Sequence, residues 1–241
     1  MADTVFEIKS GIALTVGSFG TLADLTASSP DQIRSSCDLV EIRLDLILNQ
    51  HGSVEPESWT DLHDFPILFT ARRAEEGGSG ALDAAQRSAL LMSILDRADC
   101  IDIEVASIPE MRPVVKKAAH NRIPWVASFH NFEKLPPNAA LEHAAKQARD
   151  AGASAFKIAA KLNSPTDLAR LAEFQLTDRG IPVASMGMGP LAPVSRLLCA
   201  QCGSVLNYGF LGSSPTAPGQ WNARQLKEAI DNLAPFPAGP A

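Results

Sequence analysis

The segment DLVEIRLDL, residues 38–46, alternates two kinds of side chain. In an extended chain successive residues point to opposite faces. Val40, Ile42 and Leu44 then share one face, and Glu41, Arg43 and Asp45 share the other. The apolar face suits a layer of helices. The charged face needs a polar enclosure, and the mouth of a closed strand barrel is one. Seven more short apolar runs follow this rhythm: IALTVGS (12–18), PILFTAR (66–72), CIDIEV (100–105), PWVASFH (124–130), AFKIAA (155–160), IPVASMG (181–187) and SVLNYGF (204–210). Between them lie amphipathic helical patterns such as 81–98, 138–152, 164–180 and 221–234. Ser164 is placed as an N-cap with Pro165 in the first turn, and Gly152 and Gly180 as stops. Eight strand–helix units in this order predict a single-domain (β/α)8 (TIM) barrel over residues 1–234, followed by a frayed tail, PFPAGPA, at 235–241. The competing fold is a doubly wound open sheet. That fold wants a glycine-rich phosphate loop after the first strand, and none is present; GMG at 187–189 is too short and too late.

Composition narrows the function. The chain has 241 residues, 46% of them hydrophobic, enough for one large core. Its net charge is −6, and it carries no basic run, which argues against a nucleic-acid partner. The opening MADTVFEIKS lacks the basic-then-apolar order of a secretory leader. No apolar run approaches the ~18 residues of a membrane span. The expected location is cytoplasmic. The four cysteines are Cys37, Cys100, Cys199 and Cys202. The lone C-x-x-C at 199–202 lacks two further zinc ligands at short spacing, and it closes a helix where a redox pair would open one. All four are expected to be reduced structural thiols.

The same parity sorts the other strands. Thr70 and Arg72 face inward, as do Asp102 and Glu104, and Ser128 and His130. Lys157 faces inward between Ala155 and Ala159, which leave room around its amine. In ARRAEEGG, parity favours Arg72 over Arg73. Any one of these groups alone is explained by a structural ion pair or by a lysine reaching water. Five consecutive strands sending Glu41 and Arg43, Arg72, Glu104, His130 and Lys157 towards one mouth instead point to an active site at the C-terminal strand ends. Burial beside arginines favours the neutral amine of a lysine. A neutral amine attacks a ketone or aldehyde to form an imine, which when protonated acidifies the adjacent C–H bond. His130 is suited to move that proton, and Glu104 to hold the imidazole. The arginines suggest an anionic or hydroxylated substrate. No H-x-H or D-x-D cluster stands at the strand ends. These residues describe a cofactor-free, imine-forming lyase or aldolase.

The segments LVEIRLDL, ILFTARRAEEGG, DCIDIEV, VASFHNFEKLP, AFKIAAK, PVASMGMGPLAPVSRL and TAPGQW, in this order between residues 12 and 221, resemble the type I 3-dehydroquinate dehydratase family. The resemblance implies a TIM barrel that converts 3-dehydroquinate to 3-dehydroshikimate and water in the shikimate pathway. It implies an imine on Lys157, acid–base work by His130 and a partner carboxylate at Glu104. It assigns hydroxyl contacts to Glu41, Arg43 and Arg72, and the substrate carboxylate to Arg196 at the opening of a helix. Its last lid loop falls on Thr216 and Gln220, with Ala217, Pro218 and Gly219 shaping the turn, and its apolar floor on Met186 and Met188. It implies no metal or organic cofactor, and a homodimer. Three departures stand out. Asn131 replaces the usual Asp after the histidine, Thr216 replaces a serine, and the N-terminal hairpin that plugs the barrel bottom is short. Two other readings compete: a class I aldolase, and a non-catalytic barrel that binds a small acid. TAPGQW with Arg196 suits a carboxylate better than the phosphate common among aldolase substrates, and the presence of both Lys157 and His130 argues for catalysis.

Overall fold

A computed structural model describes residues 6–54, 59, 62 and 65–233. The strands are β1 (Leu14–Phe19), β2 (Leu39–Arg43), β3 (Ile67–Thr70), β4 (Cys100–Glu104), β5 (Trp125–Asn131), β6 (Ala155–Lys161), β7 (Val183–Met188) and β8 (Leu206–Phe210). They form one parallel sheet in the order β7-β6-β5-β4-β3-β2-β1-β8. Each strand thus lies beside its sequence neighbour. The Val205 N–H donates to the Val183 carbonyl at 3.1 Å, joining the two ends of the sheet into a barrel. The open-sheet alternative is excluded by this ring.

The helices are α1 (Leu22–Ala27), α2 (Pro30–Arg34), α3 (Leu44–His51), α4 (Ala84–Ile94), α5 (Arg112–His120), α6 (Asn138–Asp150), α7 (Pro165–Leu176), α8 (Ala192–Gln201) and α9 (Ala223–Asp231). Ser164 caps α7 as its sequence predicts, accepting from the Asp167 N–H at 3.2 Å, with Pro165 in the first turn. One expectation fails at β2. The strand ends at Arg43, and Leu44–Asp45–Leu46 opens α3. Three alternating residues do not separate a strand from the first turn of a helix, where Leu44 and Ile47 share the buried face. Asp45 therefore sits in that turn, and its carboxylate takes Arg43 Nε and Nη2 at 2.9 and 2.8 Å. The tail expected at 235–241 lies outside the described residues.

Two apolar layers follow from strand alternation. Val40, Ile42, Phe69, Ile101, Ile103, Phe156 and Ile158 face the helices. Val16, Leu39, Leu68, Cys100, Val126, Ala155, Ala184 and Leu206 fill the N-terminal half of the barrel. Phe6, Ile8 and Leu14 pack against that plug, so the short N-terminal segment covers the barrel bottom. Above the plug the inward residues become polar, and the cleft begins there. At the β7–α8 junction, a Cβ on Gly187 would lie 2.6 Å from Ser195 Oγ, and the Gly187 N–H donates to that hydroxyl. This close approach seats α8, and with it Arg196, against the barrel. The cysteines are free thiols. Burial pushes Cys37 and Cys199 up to about 12, which makes them inert. Among the described residues no helix is long and apolar enough to cross a membrane.

Candidate active site

Lys157, on β6, lines a cleft towards the C-terminal ends of the strands. Its side chain is buried, and Nζ lies 3.1 Å from Asp102 Oδ2 and 3.8 Å from the centre of the Tyr208 ring. Burial lowers the amine from its usual range, and Asp102 and Glu41 oppose that shift. Asp102 in turn accepts from Arg72 Nη1 at 2.9 Å and from the Ser128 hydroxyl at 2.5 Å. Burial alone would raise the Asp102 carboxyl, but Arg72 and Lys157 hold it well below the usual carboxylate range. Arg72 is fully engaged inside the barrel, whereas Arg73 is partly exposed and pairs with Glu75, as strand parity expects.

Glu104 does not partner His130. Its carboxylate accepts from Arg72 Nη1 at 3.0 Å, the Arg73 N–H at 3.0 Å and Arg87 Nη1 at 2.7 Å. At the end of β4 it faces two buried guanidinium groups, and they use both of its oxygens. The carboxylate that reaches His130 is Glu76. Its Oε2 accepts from the His130 N–H and lies 2.9 Å from Nδ1. Glu76 stands in a short turn, Ala74–Glu76, that folds back over the barrel mouth. The following glycines make the fold-back feasible. Gly77 has φ +86°, and a Cβ on Gly78 would collide with the Arg72 carbonyl oxygen. Strand parity cannot find Glu76 because parity stops where the strand does. The available signal is a carboxylate just before a glycine pair, in a loop opening from a strand end. Burial raises Glu76 to about 7, while burial, Arg72 and Lys157 push His130 well below its ordinary value.

The remaining expected residues converge on the same cleft. Glu41 accepts from the Ser18 and Thr70 hydroxyls at 2.5 and 2.8 Å. Arg43, locked by Asp45, also donates to the Gly77 carbonyl at 3.3 Å and so ties the Glu76 turn to β2. Arg196 lies in the second turn of α8 rather than at the helix opening. It donates from Nη1 to the Tyr208 carbonyl at 2.7 Å and lies against Met186 Sδ; its Nε has no partner among the described residues. Burial lowers this guanidinium to about 10, and among the described residues no carboxylate pairs with it. Gln220 Oε1 accepts from the Thr216 N–H and hydroxyl at 2.9 Å each, which closes the last loop over the cleft. A Cβ on Gly219 would lie 2.6 Å from the Gly189 carbonyl, so glycine is needed where this loop meets β7. Asn131 Oδ1 accepts from the N–H groups of Glu133 and Lys134, a turn-shaping role that an amide oxygen fills as an aspartate would. Among the described residues no group of three His, Cys, Asp or Glu side chains is placed to hold a metal ion.

A buried amine, an imidazole held by a carboxylate and a guanidinium with no counter-charge among the described residues form an arrangement that is chemically suited to a carbonyl compound bearing an anionic group. The family model for type I 3-dehydroquinase matches residues 17–235. The 3-dehydroquinate dehydratase of Methanothrix thermoacetophila is 31% identical over 215 residues, covering 89% of each chain. That of Neisseria meningitidis is 33% identical over 215 residues, covering 84% of each. Among solved structures, 3-dehydroquinate dehydratase from Geobacillus kaustophilus superposes with a TM-score of 0.79 at 24% identity, covering 92% of this chain and 91% of that one. Type I 3-dehydroquinate dehydratase from Clostridium difficile, solved with covalently modified comenic acid, gives 0.76 at 23% identity and covers 93% of each chain. The two structural matches attest the barrel, and the sequence match along nearly the whole chain places it in the type I 3-dehydroquinase family.

Proposed function

We propose that this chain dehydrates 3-dehydroquinate to 3-dehydroshikimate through an imine on Lys157, a step of the shikimate pathway carried out in the cytoplasm without metal or organic cofactor. The observation that carries this reading is the burial of the Lys157 amine in one cleft with the His130–Glu76 pair and Arg196. In the reaction, Nζ attacks the C3 carbonyl carbon. The carbonyl oxygen leaves as water, and a protonated imine remains. His130 takes a proton from C2, and the C–H electrons flow towards the imine nitrogen as an enamine. Those electrons return to form the C1–C2 double bond and expel the C1 hydroxyl, which receives the proton from His130 and departs as water. Hydrolysis of the product imine restores Lys157. The net change is the loss of one water.

Each neighbour has a task in this scheme. Asp102 orients the amine and shares the charge of the iminium. Ionised Glu76 favours the proton on Nδ1 of His130, leaving the Nε2 lone pair as the base. Arg196 takes the substrate carboxylate, while Glu41, Arg43 and Arg72 surround the ring hydroxyls. The Thr216–Gln220 loop covers the substrate. The test is incubation with 3-dehydroquinate, following the ultraviolet absorbance of the conjugated product, with borohydride added in parallel. A stable adduct on residue 157 is expected. Turnover without any adduct, or an adduct on Lys161, overturns the imine assignment.

A further inference from the structure

Tyr208 touches two groups that the reaction uses. From β8 its ring reaches beneath the amine, with Lys157 Nζ 3.8 Å from the ring centre. Its backbone carbonyl accepts the 2.7 Å hydrogen bond from Arg196. One residue therefore spans the nucleophile and the anion-binding guanidinium. The side chain is buried, and its hydroxyl has no hydrogen-bond partner among the described residues. A buried tyrosine hydroxyl normally finds one. The contribution of this residue to the site thus lies in the ring.

We propose that Tyr208 is a positioning residue, whose π face seats the Lys157 cation and favours the protonated imine that the reaction needs as its electron sink. The negative face of an aromatic ring attracts a cation, most strongly where water is excluded. The resting ammonium is held between this face and Asp102. The same two neighbours meet the nitrogen after it becomes an iminium, because the lysine stem stays anchored on β6. A neutral imine draws electrons from C2 poorly, so a seat that favours the charged form acts on the chemical step. The other groups around the amine are Asp102 on β4, Glu41 on β2, Arg72 after β3 and His130 on β5. Arg43 and Arg196 stand elsewhere along the cleft wall, and β7 presents Met186 and Met188. Asp102 and Glu41 support the cation and the arginines oppose it. Tyr208 adds support without a formal charge that titrates near neutrality, since burial pushes its phenol well above the ordinary value.

The proposal rests on the imine reading, and the experiment separates the two. The rate of cyanoborohydride-trapped adduct formation is measured against pH for the wild type, Tyr208→Phe and Tyr208→Leu, with melting temperatures alongside. Tyr208→Leu should move the acid limb of trapping to lower pH by roughly 0.5–1.5 units, because the cation loses its seat. Its kcat should fall while KM changes little. Tyr208→Phe, which keeps the ring, should show the wild-type limb. Tyr208→Met supplies the same comparison with a side chain that refills the space should the leucine variant fold poorly. A leucine or methionine variant whose limb coincides with the wild type, whatever its melting temperature, overturns the proposal. A phenylalanine variant shifted as far as leucine also overturns it. No adduct on Lys157 in an active wild type defeats the imine reading itself, and the role of Tyr208 falls with it.

Discussion

A single oxygen of Glu76, Oε2, meets both the backbone N–H and the Nδ1 of His130 at 2.9 Å. The backbone bond fixes where the carboxylate sits, so its ionisation decides which ring nitrogen carries the proton. An ionised Glu76 accepts from Nδ1–H and leaves the Nε2 lone pair free, as the proposed base requires. A protonated Glu76 donates to Nδ1 and forces the proton onto Nε2. Burial places that ionisation at about 7.

Activity should therefore lose its base as pH falls through neutrality, and kcat should show an acid limb near 7. Glu76→Gln keeps the shape but removes the ionisation. It should lower kcat by about 10²-fold and flatten that limb. Steady-state profiles across neutral pH check both. A variant that keeps the wild-type limb would assign it to another group.

Glu104 should behave differently. It lies between Arg72 and Arg87, with both oxygens used and almost no exposure. Removing one partner of a buried charge pair costs about 3–5 kcal/mol, since the other charges remain unmatched. Glu104→Ala should lose stability on that scale in denaturant unfolding, far more than Glu76→Gln. Any acid limb it retains should move to lower pH, because the Glu104 charge helps to raise Glu76 and its removal leaves Arg72 to lower it. Equal stability losses for the two variants would contradict this division of roles.

Asp102 should contribute to the acid end of stability. Arg72 and Lys157 hold its folded-state carboxyl below the ordinary 3.8, against the effect of burial. A depressed carboxyl contributes stability at pH values above its unfolded-state pKa, and loses it as pH falls towards the folded-state one. Asp102→Asn should be less stable than the wild type at neutral pH, and the gap should narrow progressively below pH 3.8. Thermal melts at stepped pH measure that gap. A gap that is constant with pH would show that the carboxylate is not stabilised by its ion pairs.

Sequence parity located Lys157, His130, Glu41, Arg43 and Arg72, because a barrel strand has two faces and the apolar one can be subtracted. It failed wherever the chain leaves the strand. Asp45 fits the strand alternation although it lies in the first turn of α3, and Glu76 lies beyond the reach of parity because its loop obeys no period. Parity and the family resemblance both point to Glu104 as the partner of the imidazole, yet its partners are Arg87 on α4 and Arg72, contacts visible only in three dimensions. Tyr208 escaped for another reason. An aromatic on a barrel's inner face passes for filler until the cation above it is located.

Arg196 offers a prediction in which stability and function diverge. The residue is 2% exposed, and among the described residues its guanidinium has a neutral carbonyl, a thioether and no carboxylate for company. Burying a charge without a counter-charge is costly, and the depression to about 10 expresses that cost. Under the proposed function an anionic substrate supplies the missing charge, so the cost in the free protein becomes affinity in the complex. Arg196→Met keeps most of the apolar stem and discards the charge. It should melt no lower than the wild type, and higher if the carbonyl and thioether repack. Its kcat/KM should fall by roughly ten-fold to thousands-fold, the effect of losing a charge-assisted pair from a closed site. Arg73→Ala, at a partly exposed pair with Glu75, should change either property little. A carboxylate analogue of the substrate should raise the wild-type melting temperature by mass action and leave that of Arg196→Met unmoved. A methionine variant that melts well below the wild type yet retains KM would show that Arg196 holds the β7–α8 junction together, and that the substrate anion binds elsewhere.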